Sequence, residues 1–306
     1  MDLRAVDLPE LRTEMLAYYN TPTAHDTWRR MAENDMFLVP LDGEQLLAAE
    51  IRRLRRETYW VSAEMSELAK AAAPSMPDFT IHEHDLPSLY GFMYFDEPIA
   101  TAQTRRPNGA VGTVPVVACS WGPVYAADGT GLWTSFYTSM GTTHDMVRDL
   151  GYNSLAEASR ARSMLPRLMY DNEVIIPFGQ DANAFSKPGL LLDTAGRTIR
   201  ATWALMQQPL AETSDIEPDR ATRKRLRRAG HEPKPVRVIE LRRPHRADGS
   251  IGRGRAYHHA WVVRGHWRQH WYPKRQVHRP VWIAPHVKGP EGAPLIGGEK
   301  VYSLKR

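Results

Sequence analysis

Residues 79–139 contain four short segments rich in aromatic and β-branched residues, separated by glycine, proline and asparagine. The segments read "FTIHEHD", "SLYGFMYFDEPIAT", "AVGTVPVVACSWGPVY" and "GLWTSFYTS". Such residues favour pleated strands, and the "AADGTG" between the last two is typical of a hairpin turn. This part of the chain predicts an antiparallel sheet.

Helical spacing of apolar residues dominates on both sides of these segments. In the clearest example Leu47, Ile51 and Leu54 recur along one helix face, and Ile199, Trp203 and Met206 repeat the pattern later. The predicted helices cover residues 8–34, 44–73, 154–170 and 190–210, and "EVIIPFG" predicts a further strand. The expected fold class is α+β, with a helical N-terminal part, a central antiparallel sheet with helices, and a C-terminal basic β-hairpin.

A cluster of four arginines, "RRLRR", lies inside the predicted helix 44–73. The simplest interpretation is a solvated helix face on which the arginines pair with Glu50 and Glu57.

The charge is divided unequally along the chain. Residues 219–306 hold 22 lysines and arginines against 6 acidic residues, a net charge of +16, whereas the first 218 residues carry −11. This division predicts an acidic α+β body over 1–216, a candidate for target recognition, and a basic β-rich module over 217–306 that faces nucleic acid or a ribosome. The polar stretch 213–235 would form the junction, and its basic turn Arg223–Arg228 fits a solvated linker and a polyanion contact equally well.

Nothing in the sequence indicates a membrane segment or a secretory signal. The N-terminal "MDLRAVDLPELRTEM" is acidic and amphipathic, and the longest uncharged run, Val111–Ala127, is interrupted by prolines and a glycine. The single cysteine, Cys119, excludes an intrachain disulfide framework. We therefore expect a cytoplasmic protein without membrane association, and no motif points to a cofactor.

Residues 260–289 concentrate four tryptophans and four histidines among arginines and lysines. A strand over 260–271 would place Trp261, Trp267 and Trp271 on one face, towards the core, and the cations and histidines on the other. Pro273 and the β-branched Val262 and Val263 favour this strand over a helix. We expect it to pair with Pro280–Lys288 as a twisted hairpin, supported by Val236–Leu241 and the terminal "KVYSLKR".

Three kinds of chemistry compete for this hairpin. Metal binding is disfavoured, because His266 and His270 would stand about 13 Å apart on a strand and no cysteine is near. A metal-independent nuclease would use His266 and His270 as acid and base, with Arg264 stabilising the developing charge. Nucleic-acid binding accounts best for the outward basic row, with cations for phosphates and aromatic planes for unpaired bases. Its predicted residues are Arg264, His266, Arg268, Lys274, Arg275, Arg279, Trp282, His286 and Lys288.

RNA is the expected ligand, because no recognition-helix motif for duplex DNA is present. A DNA-binding replication or regulatory protein of a mobile element and the nuclease remain as alternatives. In the RNA interpretation Trp282 and His286 would be exposed stacking platforms, whereas Trp261 and Trp267 would belong to the core.

The segment around Arg264-Gly265-His266-Trp267, with its basic, histidine-containing flanks, resembles the C-terminus of one type V-A anti-CRISPR family. Weaker similarity occurs in "MFLVPL", "RRETYWVSAEMSELA" and "LPSLYGFMYFD", and the clear match covers about fifty residues. The resemblance implies a phage or plasmid protein that lowers the amount of a Cas nuclease through its messenger RNA during translation. Its implied partners are RNA or a ribosome and a target polypeptide, a nascent Cas nuclease.

Overall fold

A mixed eight-stranded sheet with helices on both faces forms the centre of the protein. The computed structural model describes residues 3–39, 41–77, 80–105, 111–126, 129–180, 191–242, 261–273 and 276–288. The α-helices in these ranges are α1 Leu8–Tyr19, α2 Pro22–Glu33, α3 Gly43–Leu54, α4 Ala63–Ala72, α5 Thr143–Leu150, α6 Leu155–Met164, α7 Leu191–Met206 and α8 Arg220–Arg228.

The strands divide into the central sheet and a C-terminal pair of short ladders. Those of the sheet are β1 Glu57–Val61, β2 Gly91–Phe95, β3 Ala100–Arg105, β4 Val111–Ala126, β5 Gly129–Ser139, β6 Leu168–Pro177, β7 Ala211–Ile216 and β8 Val236–Leu241. Those that follow are β9 Trp261–Val263, β10 His266–Tyr272, β11 Val277–Ile283 and β12 His286–Lys288. The predicted α+β class with a C-terminal hairpin is confirmed.

The sheet has the order β6-β5-β4-β2-β1-β8-β7, and β3 also pairs with β4. The pairs from β2 to β5 are antiparallel, as predicted from residues 79–139, and β6 adds to β5 in the same sense. In contrast, β1 runs parallel to both β2 and β8. The sheet is therefore mixed. The chain passes from β1 to its parallel neighbour β2 through α4, and parallel pairing requires a crossover connection of this kind.

Both faces of the sheet are covered by apolar helix surfaces. Tyr59 and Val61 of β1 belong to the core under α4 and α7, whereas Trp60 between them packs in the core under α1, α2 and α3. A strand buried on both faces favours apolar residues at successive positions, as in Tyr59, Trp60 and Val61, whereas Glu57 at the start of the strand is exposed. No helix in the described ranges has the length and apolarity to cross a membrane.

The predicted single helix over 44–73 is wrong, since β1 divides it into α3 and α4. The Ser62 side chain accepts a hydrogen bond from the Met65 amide and begins a new helix directly after the strand. The aromatic, β-branched segment "ETYWV" favours the pleated conformation, and its burial on both faces overrides the helical periodicity read across it.

The strand β8 lies inside the central sheet, between β1 and β7. Val236–Leu241 was expected to support the basic hairpin, and that expectation is wrong. The predicted division at residue 217 does not fit this topology, because it would separate β7 from its partner β8. Charge changes sharply near residue 217, but the hydrogen-bonded sheet continues through Leu241.

A closed polar cluster fills part of the core between α3 and the sheet. Glu50 is fully buried, pairs with Arg53 at 2.7 Å, and accepts hydrogen bonds from Ser120, Ser135 and Tyr137. The Arg53 guanidinium also lies 3.6 Å from the centre of the Trp133 ring. Burial and the nearby Glu50 carboxylate raise the pKa of Tyr137 well above its usual value. Both carboxylate oxygens of Glu50 are partnered, whereas the buried Arg53 Nε has no hydrogen-bond partner among the described residues. The cluster therefore acts as a structural network.

Candidate nucleic-acid interface

The C-terminal hairpin is built by β10 and β11, which pair in an unbroken register from His266–Ile283 to Tyr272–Val277. A second short ladder, between β9 and β12, extends it. The predicted pairing of the two basic segments is confirmed. The terminal "KVYSLKR", also expected to support it, lies outside the described residues.

Two tryptophans attach the hairpin to the body. The Trp267 indole nitrogen donates to the Ala72 carbonyl at 2.8 Å, and the Trp282 amide donates to the Gln208 side-chain oxygen at 2.9 Å. Gly265 makes this attachment possible, because a Cβ there would collide with the Trp282 ring. The hairpin is therefore held against α4 and α7 by directed contacts as well as by apolar packing.

The burial of Trp282 corrects the expectation that it is an exposed stacking platform. Its side chain is only 7% exposed and belongs to the core cluster, while Trp267 is half-buried against the same cluster. Trp267 thus packs on the core as predicted. The side chain of Trp261 lies outside the described residues.

The outer end of the hairpin carries the aromatic residues that are exposed. Trp271 is 45% exposed and Tyr272 is 37% exposed. The Trp271 ring lies 4.9 Å from the His278 ring, and the His270 ring lies 4.9 Å from the Tyr272 ring. The sequence placed Trp271 in the core, which is wrong because the strand carries it about 13 Å beyond Trp267.

The predicted cations differ in their exposure and in whether an ion pair already holds them. Arg264 and Arg268 are exposed and form no ion pair within the described ranges, whereas Arg279 is held by Asp85 at 2.8 Å. His286 is exposed, with its ring nitrogen 3.0 Å from the Ala284 carbonyl.

The side chains of three predicted cations lie outside the described residues. Lys274 and Arg275 lie outside the described residues, and so does the side chain of Lys288, although its backbone belongs to β12. Of the predicted set, Arg264, His266, Arg268 and His286 are therefore the side chains that the structure places in solvent.

The histidines proposed for nuclease chemistry are both exposed on β10. The ring nitrogen of His266 lies 3.1 Å from the Arg264 carbonyl. Since β10 is extended, His266 and His270 are about 13 Å apart, too far to act as acid and base on one phosphodiester. The described ranges contain no group of three or more histidine, cysteine or acidic residues arranged to hold a metal ion.

A cleft of about 900 Å³ lies between the hairpin, α7 and residues 80–85. Its wall includes His82 and His84, whose rings stack at 5.3 Å, together with His278 of β11. Trp203 also lines the cleft, and its buried indole nitrogen has no hydrogen-bond partner among the described residues. Sequence reasoning missed His82 and His84, which lie at the N-cap and inside the short 3₁₀ helix Glu83–Asp85.

No protein-family model and no curated protein matches the chain. Among solved structures, a crystal structure of AcrVA2 aligns with a TM-score of 0.40 and 13% identity, over 80% of this chain and 79% of that chain. The chain therefore has a weak, distant resemblance to an anti-CRISPR protein. A likeness at this level establishes neither a shared fold nor a shared activity.

Proposed function

We propose that this chain is an anti-CRISPR-like inhibitor encoded by a phage or plasmid. In this proposal the C-terminal hairpin binds RNA or the ribosome, and the body recognises a target polypeptide, a Cas nuclease during its synthesis. The outcome is the translation-coupled loss of the messenger RNA that encodes the target.

One observation supports the proposal above the others: the hairpin presents both kinds of group that single-stranded RNA requires. Trp271 and Tyr272 offer exposed aromatic planes, and Arg264 and Arg268 offer cations that no carboxylate neutralises within the described residues. Base stacking and phosphate contacts together are the usual basis of sequence-tolerant binding to single strands.

The RGHW motif that carries the sequence resemblance has two roles in this geometry. Gly265 and Trp267 are the anchoring half, since the glycine admits the Trp282 ring and Trp267 binds the Ala72 carbonyl. Arg264 and His266 are the exposed half. Conserving this motif in a related family would thus preserve both the attachment of the hairpin and a polar surface on it.

The first experiment measures binding of purified protein to labelled single-stranded RNA, duplex RNA and duplex DNA, with and without EDTA. We expect uncleaved single-stranded RNA to bind most tightly. Cleavage that persists in EDTA would replace the proposal with a metal-independent nuclease, and a preference for duplex DNA would replace it with a DNA-binding regulator. An Arg264→Gln/Arg268→Gln variant should weaken RNA binding, whereas the charge-matched Arg30→Gln/Arg160→Gln variant should not.

The second experiment measures the transcript of a candidate Cas nuclease in cells, with its start codon intact or destroyed. The transcript should fall only when it is translated and this protein is present. An equal fall without translation would mean direct action on nucleic acid. Loss of nuclease activity with an unchanged transcript would mean direct inhibition of the finished protein.

A further inference from the structure

A second basic site lies on the opposite face of the sheet from the hairpin, between α1, the end of α3 and the segment after α8. This cavity of about 590 Å³ is called the α1–α3 pocket. The cations that line it are Arg12, Arg52, Arg55, Arg56 and Lys234. His231 lies beside them, and Glu232 is the single acidic residue among the lining residues.

The pairing that the sequence suggested for "RRLRR" is found only for Arg53, and that pair is buried instead of lying on a solvated helix face. Glu50 is buried and binds Arg53 at 2.7 Å, and Glu57 lies 3.9 Å from Arg237. Arg52, Arg55 and Arg56 are exposed, and none of them forms an ion pair with any described residue. Repulsion among like charges on one wall is unfavourable unless an anion compensates it.

Arg12 at the base of the pocket adds a stronger indication. Its side chain is 6% exposed and donates to the Arg56 carbonyl at 3.1 Å and to the Thr58 hydroxyl. Both acceptors are neutral, and no described carboxylate lies within ion-pair distance of this guanidinium. The Glu57 carboxylate acts on Arg12 from beyond ion-pair distance. A buried charge without a directly paired counter-charge is costly, and an anion in the pocket would supply one.

The titration of His231 reflects the same excess of positive charge. Burial lowers the pKa of His231 below its usual value, and the charges of Arg55 and Arg12 lower it further. Arg52, Arg56, Lys234 and Glu232 face the same pocket.

The helix α8 extends this basic surface beyond the pocket. It docks through Thr222 and Leu226, four residues apart, and Arg225 pairs with Glu10 of α1. The remaining cations of the helix are exposed: Arg220, Arg223, Lys224, Arg227 and Arg228. Gly230 follows with φ of +76°, a backbone turn that favours glycine and leads the chain into the pocket.

We propose that the α1–α3 pocket is a binding site for phosphate groups. The basic row on α8 fits a run of phosphates along an RNA backbone, and a free phosphorylated molecule would satisfy the pocket by the same chemistry. The assignment of RNA as the molecule that supplies the phosphates rests on the proposed function above. The assignment of the pocket as a phosphate site does not.

The test compares Arg52→Gln/Arg55→Gln with the wild type and with Arg30→Gln/Arg160→Gln, which removes two positive charges from α2 and α6. All four substituted side chains are exposed, so the variants should melt like the wild type. With a 20-nucleotide single-stranded RNA, the pocket variant should bind at least about tenfold more weakly than the control. Its log–log salt dependence should be flatter by about 1.4.

A second readout is the nuclear magnetic resonance signal of His231, followed during addition of pyrophosphate, the RNA or polyglutamate. Pyrophosphate and RNA should move the signal and raise the pKa of His231 in the wild type and the control variant, but not in the pocket variant. An equal response to polyglutamate would overturn the assignment to phosphate, because any polyanion would then suffice.

The two proposals fail in different ways. If RNA does not bind but pyrophosphate moves the His231 signal, the pocket is a phosphate site whose ligand is a free phosphorylated molecule. The proposed RNA-binding function is then wrong. If Arg264→Gln/Arg268→Gln weakens RNA binding while the pocket variant matches its control and His231 does not respond, the pocket proposal is overturned and the hairpin interface stands.

Discussion

Trp267 and Trp282 stand opposite each other across the hairpin, with ring centroids 5.3 Å apart and planes inclined at 65°. The edge-to-face arrangement joins the two strands on the side that faces the body. Because both indoles are used for this attachment, the aromatic groups available to a ligand are those further along the strands, Trp271 and Tyr272.

Replacing Trp282 with alanine should destabilise the protein by about 3–5 kcal/mol, since it removes a buried aromatic side chain and leaves a cavity beneath the hairpin. Denaturant unfolding measures the effect. The exposed Trp271→Ala change is the matched control and should alter stability by less than about 0.5 kcal/mol. Equal losses at both positions would show that the outer end of the hairpin is also packed.

Trp271→Ala should weaken binding to single-stranded RNA by about 1–3 kcal/mol while leaving the melting temperature unchanged, because an exposed indole can stack on an unpaired base. Fluorescence anisotropy with an unstructured RNA measures the affinity. Trp271→Phe should restore much of the binding, as it keeps an aromatic plane. If alanine and phenylalanine behave alike, stacking at this position is not part of recognition.

RNA affinity should depend steeply on salt if the hairpin contacts phosphates. Five contacts on a single strand predict a log–log slope of roughly −3.5, and Arg264→Ala/Arg268→Ala should flatten it by about 1.4. Titrations at several salt concentrations give both slopes. A wild-type slope near zero would remove the electrostatic basis of the proposed interface.

Glu50→Gln should destabilise the protein by about 3–5 kcal/mol, because it leaves the buried Arg53 guanidinium without its counter-charge. Glu44→Gln, at an exposed position of the same helix, is the control and should be nearly neutral. The double change Glu50→Gln/Arg53→Met should cost less than the two single changes added together. Additive losses would mean that the two side chains act independently.

His231 should titrate below its usual pKa of 6.5, because burial and the charges of Arg55 and Arg12 disfavour its protonated form. The unfolded chain then binds the proton first as pH falls, so the free energy of unfolding should decrease as pH falls through about 6.5. Arg55→Gln should raise the pKa of His231, measured by nuclear magnetic resonance, while Arg160→Gln should leave it unchanged. An unchanged pKa in Arg55→Gln would show that His231 lies outside the influence of the pocket cations.

Local patterns in the sequence were sufficient for much of the fold. β-branched and aromatic segments predicted the antiparallel strands from β2 to β5 and a further strand at β6. Helical spacing predicted α7, and alternation in 260–271 predicted the basic hairpin. These features are local because side-chain period and backbone preference act over a few residues.

The wrong predictions concern segments whose structure depends on which other strand or helix packs beside them. Helical spacing ran across "ETYWV", yet that segment is a strand because the sheet covers it on both faces. Charge suggested a boundary near residue 217, yet β8 hydrogen-bonds between β1 and β7. Backbone pairing is independent of side-chain charge, so composition cannot show which strand completes a sheet.

The features of the candidate site also separate into those that are local in the sequence and those that depend on tertiary packing. The sequence by itself determined that the hairpin would be basic and aromatic, because the residue types and their alternation are properties of the sequence alone. Only the tertiary structure decided that Trp282 is buried while Trp271 is exposed. It also decided that the Glu50–Arg53 pair is buried and that the neighbouring arginines face a pocket. Alternation sets the face on which a side chain lies, but its burial depends on how far the body extends beneath that face.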